Sequence, residues 1–543
     1  MSVRGLFTIK VGSPNGRTFA VAQTNFSEIF PNGTSISRGT VSNDSQMVSF
    51  ASSAQQLILA SGGFLYLLNL DTNVFSTIPA SNFTGPVSQV GYCDGFFIAL
   101  IANSNRFYVS GVLDATDWTS NGASLVSEFP DNLVAMLVDH RQIWFWSATK
   151  AIVYFDSGGQ FPFDPVPSGF IEQGCAAKWS PARLDNTIFW LGSDDRGSGI
   201  VWKATGYTPS RISNHALEYA MQGYTRIDDA IGYSFQMQGH AFYQLYFPAA
   251  GKTWRYDVAT NMWHEVGFWN VNFGFYEAHH SQCHTFNFGK HLVGDWSSNK
   301  VYDMEIPKWN NGTWDFATDD GAPIRRLRRA AHISDDQRYS THHQIQIFLE
   351  TGLGPIPPLP GSEQPTSYIM ADNTGALWSM GVSDIGVLTT TGGAFGAPQT
   401  LFFNDAVTGT TSWQVTVSAI GALSDPAIPI PFNASYPTVL QMVSSSGTQR
   451  WTLYVNDIGL LITSPGGAVY RPPQLSIRWS NDSAHTWSTE QLVPCGQAGE
   501  FQARAMLRRL GRARDRVYEI AATDPIPWRF IAGYTEVASS GDR

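Results

Sequence analysis

A chain of 543 residues is long enough for two or three domains with substantial cores. Only 14% of its residues are charged, while 13% are aromatic and 50 are glycine, which excludes a disordered chain or a coiled coil. The balance points to an all-β protein, because aromatic and β-branched side chains suit pleated surfaces and glycine suits tight turns.

The formal net charge of −10 is unevenly spread. Residues 1–320 have a net charge of −9 and residues 361–465 a net charge of −5, whereas 321–360 together with 466–543 have a net charge of +4. A basic module thus sits between two acidic ones. Acidic surfaces repel nucleic acid unless a channel must let it slide. No run of 18 apolar residues exists, so no transmembrane helix is expected. The start, MSVRGLFTIKVG, lacks a hydrophobic signal core, and folding in a cytoplasm is expected. Cys93, Cys175, Cys283 and Cys495 are scattered, which predicts free, buried thiols.

Taken in chain order, residues 1–320 hold six aromatic-rich hairpins, beginning at Phe64, Phe96, Gln142, Thr187, Ala241 and His284. Each reads as strand, Gly/Asn/Asp/Ser turn, strand, and they recur roughly every 30 to 55 residues, the period of a four-stranded propeller blade. A β-propeller of about six blades is predicted. Two of the turns, NLDTNVF and DVATNMW, look alike and predict side-chain to backbone hydrogen bonds.

Residues 361–465 carry a second repeat, W-x3-V-x-[DA]-I-G-x-L. It occurs at Trp378, Val382, Asp384, Ile385, Gly386, Leu388; at Trp413, Val417, Ala419, Ile420, Gly421, Leu423; and at Trp451, Val455, Asp457, Ile458, Gly459, Leu461. Trp and Val four apart share one strand face, so three similar hairpins are predicted, with the tryptophans as shared core positions. Pro/Gly-rich segments at 351–367 and 463–474 flank this unit and suggest a domain inserted into a host. The host, 321–360 plus 466–543, reads as a β-sandwich platform.

Few constellations suggest chemistry. Ser480, Asp482, Thr486 and Trp487 match the Asp-box, a hairpin turn found in sialidases and other glycoside-cleaving propellers. Asp482 and Thr486 can close the turn with Trp487 packing beneath, a stabilising role away from any catalytic centre. A sialidase would also need an arginine triad, a tyrosine nucleophile and a partner acid, and no such set is apparent. His279, His280, Cys283 and His284 are metal-type ligands without a second cluster, so loop histidines are expected and no metal or cofactor is assigned. Gly192–Gly199 lacks the calcium-loop pattern and reads as a hairpin turn. His342 and His343 read as surface residues at a strand start. The arginine runs, Arg325, Arg326, Arg328, Arg329 and Arg508, Arg509, Arg512, Arg514, Arg516, read either as ion pairs with Asp515, Glu519 and neighbours or as a docking face for an acidic protein partner; nucleic-acid binding comes third.

PIRRLRRAAHISDD (323–336), FLETGLG (348–354), IRWSNDSAHTWS (477–488) and RLGRARDRVYEIAATDP (509–525), with LDATDWTS and SATKAIVYFDSGG, together resemble the tail-hub, or packaged-DNA stabilisation, proteins of P22-type short-tailed bacteriophages. The resemblance covers about 430 residues, and the three-repeat insertion departs from it. It implies a non-enzymatic virion protein of the tail, assembled in the host bacterial cytoplasm. It further implies a homohexameric nozzle below the portal and its head-to-tail adaptor, with tailspikes or tail fibres and a needle or tip protein as partners. Viral DNA would be retained and later passed through the lumen without sequence-specific binding, and the host envelope would be met at infection. The basic platform is expected to dock on the adaptor and the acidic insertion to lie distally. The competing reading is a glycan-binding or glycan-cleaving propeller acting in receptor binding, or a tryptophan-repeat module that alone binds the cell surface.

Overall fold

The structure is a computed structural model. It describes residues 2–10, 16–194, 197–270, 272–305, 308–310, 313–315, 318–336, 338–350, 473–496, 503–524 and 529–539; between 351 and 472 it describes only the strands named below. The chain divides into two compact units, Met1–Ile306 with Thr318–Ile324, and Pro307–Ala317 with Arg325–Arg543.

The first unit is a β-propeller. Seven antiparallel sheets follow one another in chain order, over residues 3–40, 49–77, 87–125, 133–171, 174–211, 231–278 and 281–303. We number them blades 1 to 7. The six predicted hairpins fall in blades 2 to 7; the hairpin pattern missed blade 1. Its outer strands, Asn25–Ile29 and Ser35–Thr40, are short and rich in Ser, Thr and Asn, so they lack the apolar runs that mark the others. The only α-helix among the described residues is His215–Gln222, whose first turn Asn214 caps through a 2.9 Å bond from Leu217 N.

A separate apolar cluster fills each seam between neighbouring blades. Phe26, Leu57 and Leu68 pack between blades 1 and 2, Leu65 and Phe97 join blades 2 and 3, and Phe107 and Phe145 join blades 3 and 4. Trp146 and Trp190 join blades 4 and 5, and Phe189 and Tyr243 join blades 5 and 6. Stability is therefore distributed round the ring.

Among the described residues no sheet mixes strands from the two ends of this unit, and side chains close the ring. Gln282 Nε2 donates to Val3 O at 2.7 Å, Thr285 Oγ1 to Thr8 Oγ1 at 2.7 Å, and Asn287 Nδ2 to Thr18 Oγ1 at 2.7 Å. Val3, Leu6, Cys283 and Leu292 form the apolar part of the seam. Arg4, 1% exposed, ties the first strand to blade 2 and the linker before it through Gln23 O, Ser42 O, Gln46 O, Ser61 Oγ and Asp44. Of the two similar turns, the second uses Asp257 as predicted, accepting from Ala259 N and Thr260 Oγ1. The first uses Asn69, which accepts from Asp71 N and Thr72 N.

The second unit contains a β-sandwich. One sheet orders strands Arg326–Arg329, Asp515–Ala522, Gln474–Ser480 and Gln491–Pro494. The other centres on Ser340–Leu349, with Phe530–Ser539 on one edge and Ala505–Arg508 and Arg512–Ala513 on the other. Ile345, Ile347 and Leu349 face Leu475, Ile477, Tyr518 and Ile520 across the core. His342 is corrected from surface to interior. It is 1% exposed, with Nδ1 3.0 Å from Tyr518 OH and Nε2 3.3 Å from Ser340 Oγ, because a bulge between His342 and Gln344 turns it inward; His343 is exposed.

Within 361–465 three strand sets are described. They are Ser367–Ala371, Leu377–Val382 and Leu388–Thr391; Gln399–Asn404 and Thr411–Val417; and Thr438–Val443, Arg450–Val455 and Leu461–Thr463. Trp378, Trp413 and Trp451 each lie on the second strand of a set, in register with Met370, Phe403 and Met442. The Asp/Ala-Ile-Gly triplets at 384–386, 419–421 and 457–459, and Leu423, lie outside the described residues.

A Cβ on Gly294 would meet Val3 Cγ1 and Cys283 Sγ at 2.6 Å each. Gly294→Val is expected to overpack the closing seam and cost about 1–3 kcal/mol. Denaturant unfolding followed by tryptophan fluorescence checks this; an unchanged midpoint would show that the seam does not limit propeller stability.

Candidate docking surface

Both arginine runs lie in the sandwich unit, but on different surfaces and with different duties. In the first run, Arg329 is in register with Glu519, and so is Arg478 on the opposite side. Glu519, 1% exposed, accepts Arg329 Nε at 2.7 Å and Arg478 Nε at 2.6 Å. A buried carboxylate without such partners would carry a large desolvation cost. Arg325 pairs with Glu490 at 2.8 Å, and the Arg326 guanidinium donates to Asp524 O. Arg328 lies over the Phe530 ring at 4.6 Å.

The Asp-box completes this arrangement. Ser480 Oγ donates to Asp482 Oδ1 at 2.6 Å and accepts from Ala484 N at 2.9 Å. Asp482 accepts Thr486 N at 2.8 Å and Thr486 Oγ1 at 2.5 Å, and these bonds hold its carboxyl well below the usual carboxylate range. The turn passes through left-handed backbone at Ser483 and Ala484 (φ 58° and 72°), a conformation the side-chain bonds support. It delivers Trp487 onto the ion triad, with the Arg478 and Arg329 guanidinium carbons 4.9 and 5.2 Å from its ring centre. The box is a device for placing an aromatic cover over an Arg–Glu–Arg bridge.

In the second run, Arg516 is interior. It is 1% exposed, donates to Asn481 Oδ1 and Leu510 O, and lies near the rings of Trp479 and Tyr518. Its guanidinium serves the core and is removed from the set of docking candidates. Arg508, Arg509, Arg512 and Arg514 are exposed. Arg512 and Arg514 flank Tyr339 at 5.4 and 4.6 Å from its ring. No acidic side chain pairs with Arg508, Arg509 or Arg514 among the described residues. Arg504, which opens the same arginine run in the sequence, extends the row over Phe348, and exposed Tyr534 stands beside Phe348 at 5.3 Å. Sequence reading missed Tyr534, because its register with Gln346 is not readable from local sequence.

The histidine-rich loop does not converge on one point. His279 Nδ1 meets Ser281 Oγ, Cys283 Sγ points to Val3 O in the ring seam, and His284 Nε2 lies 3.0 Å from His291 Nδ1. All four cysteines are free and buried.

The chain is thus a β-propeller followed by a β-sandwich that presents a row of exposed arginines. Family comparison names the class. The model described as bacteriophage P22 Gp10, beta-propeller, matches residues 4–306, and that described as bacteriophage P22 Gp10, beta-sandwich, matches residues 444–538. The chain belongs to this family and is a tail structural protein of a bacteriophage that stabilises packaged DNA. Curated proteins returned no match. Among solved structures, a chain of the crystal structure of the mitotic checkpoint complex aligns at TM-score 0.36 and 9% identity, over 56% of this chain and 91% of its own. The N-terminal domain of Nup159 aligns at TM-score 0.35 and 10% identity, over 56% and 87%. Scores this low bear on neither fold nor function.

Two predictions follow from the sandwich. Trp487→Ala is expected to cost about 1–2 kcal/mol, through two cation–π contacts and the exposure of the triad to water. A double-mutant cycle with Arg478→Met should show coupling, and additive effects would deny the cover its role. Second, burial and the nearby Arg516 charge push His342 down to about 4. The unfolded chain then binds the extra proton between pH 6.5 and 4, so sandwich stability should fall as pH drops through that window. Calorimetry of His342→Gln should show a shallower pH slope than the parent.

Proposed function

We propose that the chain builds the tail nozzle as a homohexamer below the portal and its head-to-tail adaptor. It closes the filled head and conducts DNA at ejection. The observation that carries this reading is the family match to both modules of a packaged-DNA stabilising protein. Composition agrees with it: six copies bring roughly −60 of formal charge together. An acidic wall forms few phosphate contacts, so DNA slides instead of sticking. In this role the protein performs no catalysis, assembles in the host cytoplasm, and meets tailspikes or fibres and a needle or tip protein. The inserted repeats at 361–465 form the distal, envelope-facing part.

We assign adaptor docking to the exposed row Arg508, Arg509, Arg512 and Arg514. Arg325 and Arg329 are already engaged in ion pairs with Glu490 and the buried Glu519, so reversing them would test folding as much as docking. Charge complementarity then governs encounter with an acidic adaptor surface. Replacing Arg508, Arg509 and Arg514 by Glu is expected to leave the chain folded and to yield DNA-filled heads that lack it and leak DNA. Infectious particles at the normal yield would refute the docking assignment. Sixfold density below the portal in electron cryomicroscopy of virions tests the nozzle itself, and density at another place or copy number would overturn it.

A further inference from the structure

The innermost strands of blades 1 to 6 surround a cavity of about 350 Å³. Its lining is unusual for an acidic propeller. Among the described residues it contains no carboxylate and two cations, Lys178 and Arg183. Phe50, Tyr92, Met136 and Trp179 give it apolar and aromatic walls.

Lys178 is held in place but its charge is not answered. Gln89 spans two blades, accepting from Met136 N at 2.7 Å while its Nε2 donates to Lys178 O at 3.3 Å, which fixes the backbone. The ammonium lies 4.5 Å from the Trp179 ring centre, and no hydrogen bond or ion pair satisfies it among the described residues. Burial pushes its pKa down to about 8, opposed by the charge of Asp44, which is itself bound to Arg4 at 2.5 Å. The other titratable groups lining the cavity are Arg183 and Tyr92, and burial and Asp94 raise Tyr92 so that it stays neutral. Lys178 is therefore still mainly protonated at neutral pH. A cation kept half-buried without a counter-charge lowers stability. Such a cost is typical of a group that meets its partner only when a ligand arrives.

We propose that the propeller cavity binds a small organic anion, a carboxylate or phosphate on a flat apolar body, with its acid group at Lys178 and Arg183. The aromatic walls take the body, and the cations supply charge-assisted hydrogen bonds. This assignment is independent of the docking row and of the hexamer.

The test is calorimetric titration of the full chain with benzoate, phenyl phosphate and inorganic phosphate. Saturable binding of benzoate or phenyl phosphate is expected, and the stronger of the two identifies the acid group. Lys178→Met should weaken it about tenfold or more, yet unfold no earlier than the parent, because it removes an unanswered charge. Arg183→Gln, at an exposed position, should weaken it less. Affinity should also fall between pH 7 and 9 as Lys178 loses its proton. Absence of saturable binding by both organic anions overturns the proposal, as does affinity unchanged in both variants. If Lys178→Met does not fold, the pH series and Arg183→Gln decide, and a flat profile refutes the site. Inorganic phosphate binding as tightly as phenyl phosphate would refute the apolar half.

Discussion

The meeting of blade 1 with blade 7 is the constraint on which the first unit depends. Each blade buries its apolar faces only against its neighbours, so an open ring would expose Val3, Leu6 and Leu292. Because no strand is shared across the seam among the described residues, closure rests on side-chain hydrogen bonds, a small apolar cluster and the absence of a side chain at Gly294. Residues almost 300 positions apart must therefore meet before the unit gains its full stability, at a substantial cost in chain entropy. The distributed interblade clusters, several centred on buried tryptophans, offset that cost collectively.

The sandwich solves a different problem by similar means. Glu519 sits on the middle strand of its sheet and is buried, so it requires charge from both flanking strands. Arg329 and Arg478 supply it, and Trp487 excludes water from above. The Asp-box, which elsewhere accompanies glycoside-cleaving propellers, is a purely local device. Its hydrogen bonds involve only residues 480–486, and any fold that needs an aromatic residue set at the end of a strand can use it. The same unit also shows how arginines divide their work: Arg516 packs in the core, while Arg508, Arg509 and Arg514 are exposed at the surface.

This division suits a tail protein that stabilises packaged DNA. In the proposed nozzle, overall acidity would keep the phosphate backbone at a distance, and the basic row would offer a salt-sensitive attraction for a protein surface. Positive charge at Lys178 and Arg183 lines a cavity of about 350 Å³, too small for duplex DNA, and in our proposal it meets a smaller partner.

Periodicity in the sequence determined the all-β class, the propeller and six of its seven blades, since alternating apolar runs and turn residues are local properties. It also determined the Asp-box bonding, which spans seven residues, and the strand positions of Trp378, Trp413 and Trp451. Only the tertiary structure decided the rest. Blade 1 has weak strands that make sense only beside blades 2 and 7. His342 reads as polar and terminal, yet a bulge turns it into the core between Tyr518 and Ser340. The arginine runs look alike in sequence, and which arginine is paired, buried or free depends on which strand lies across from it. Glu519 lies 190 residues from Arg329 and 41 from Arg478, and charges that far apart along the chain become partners only through sheet register.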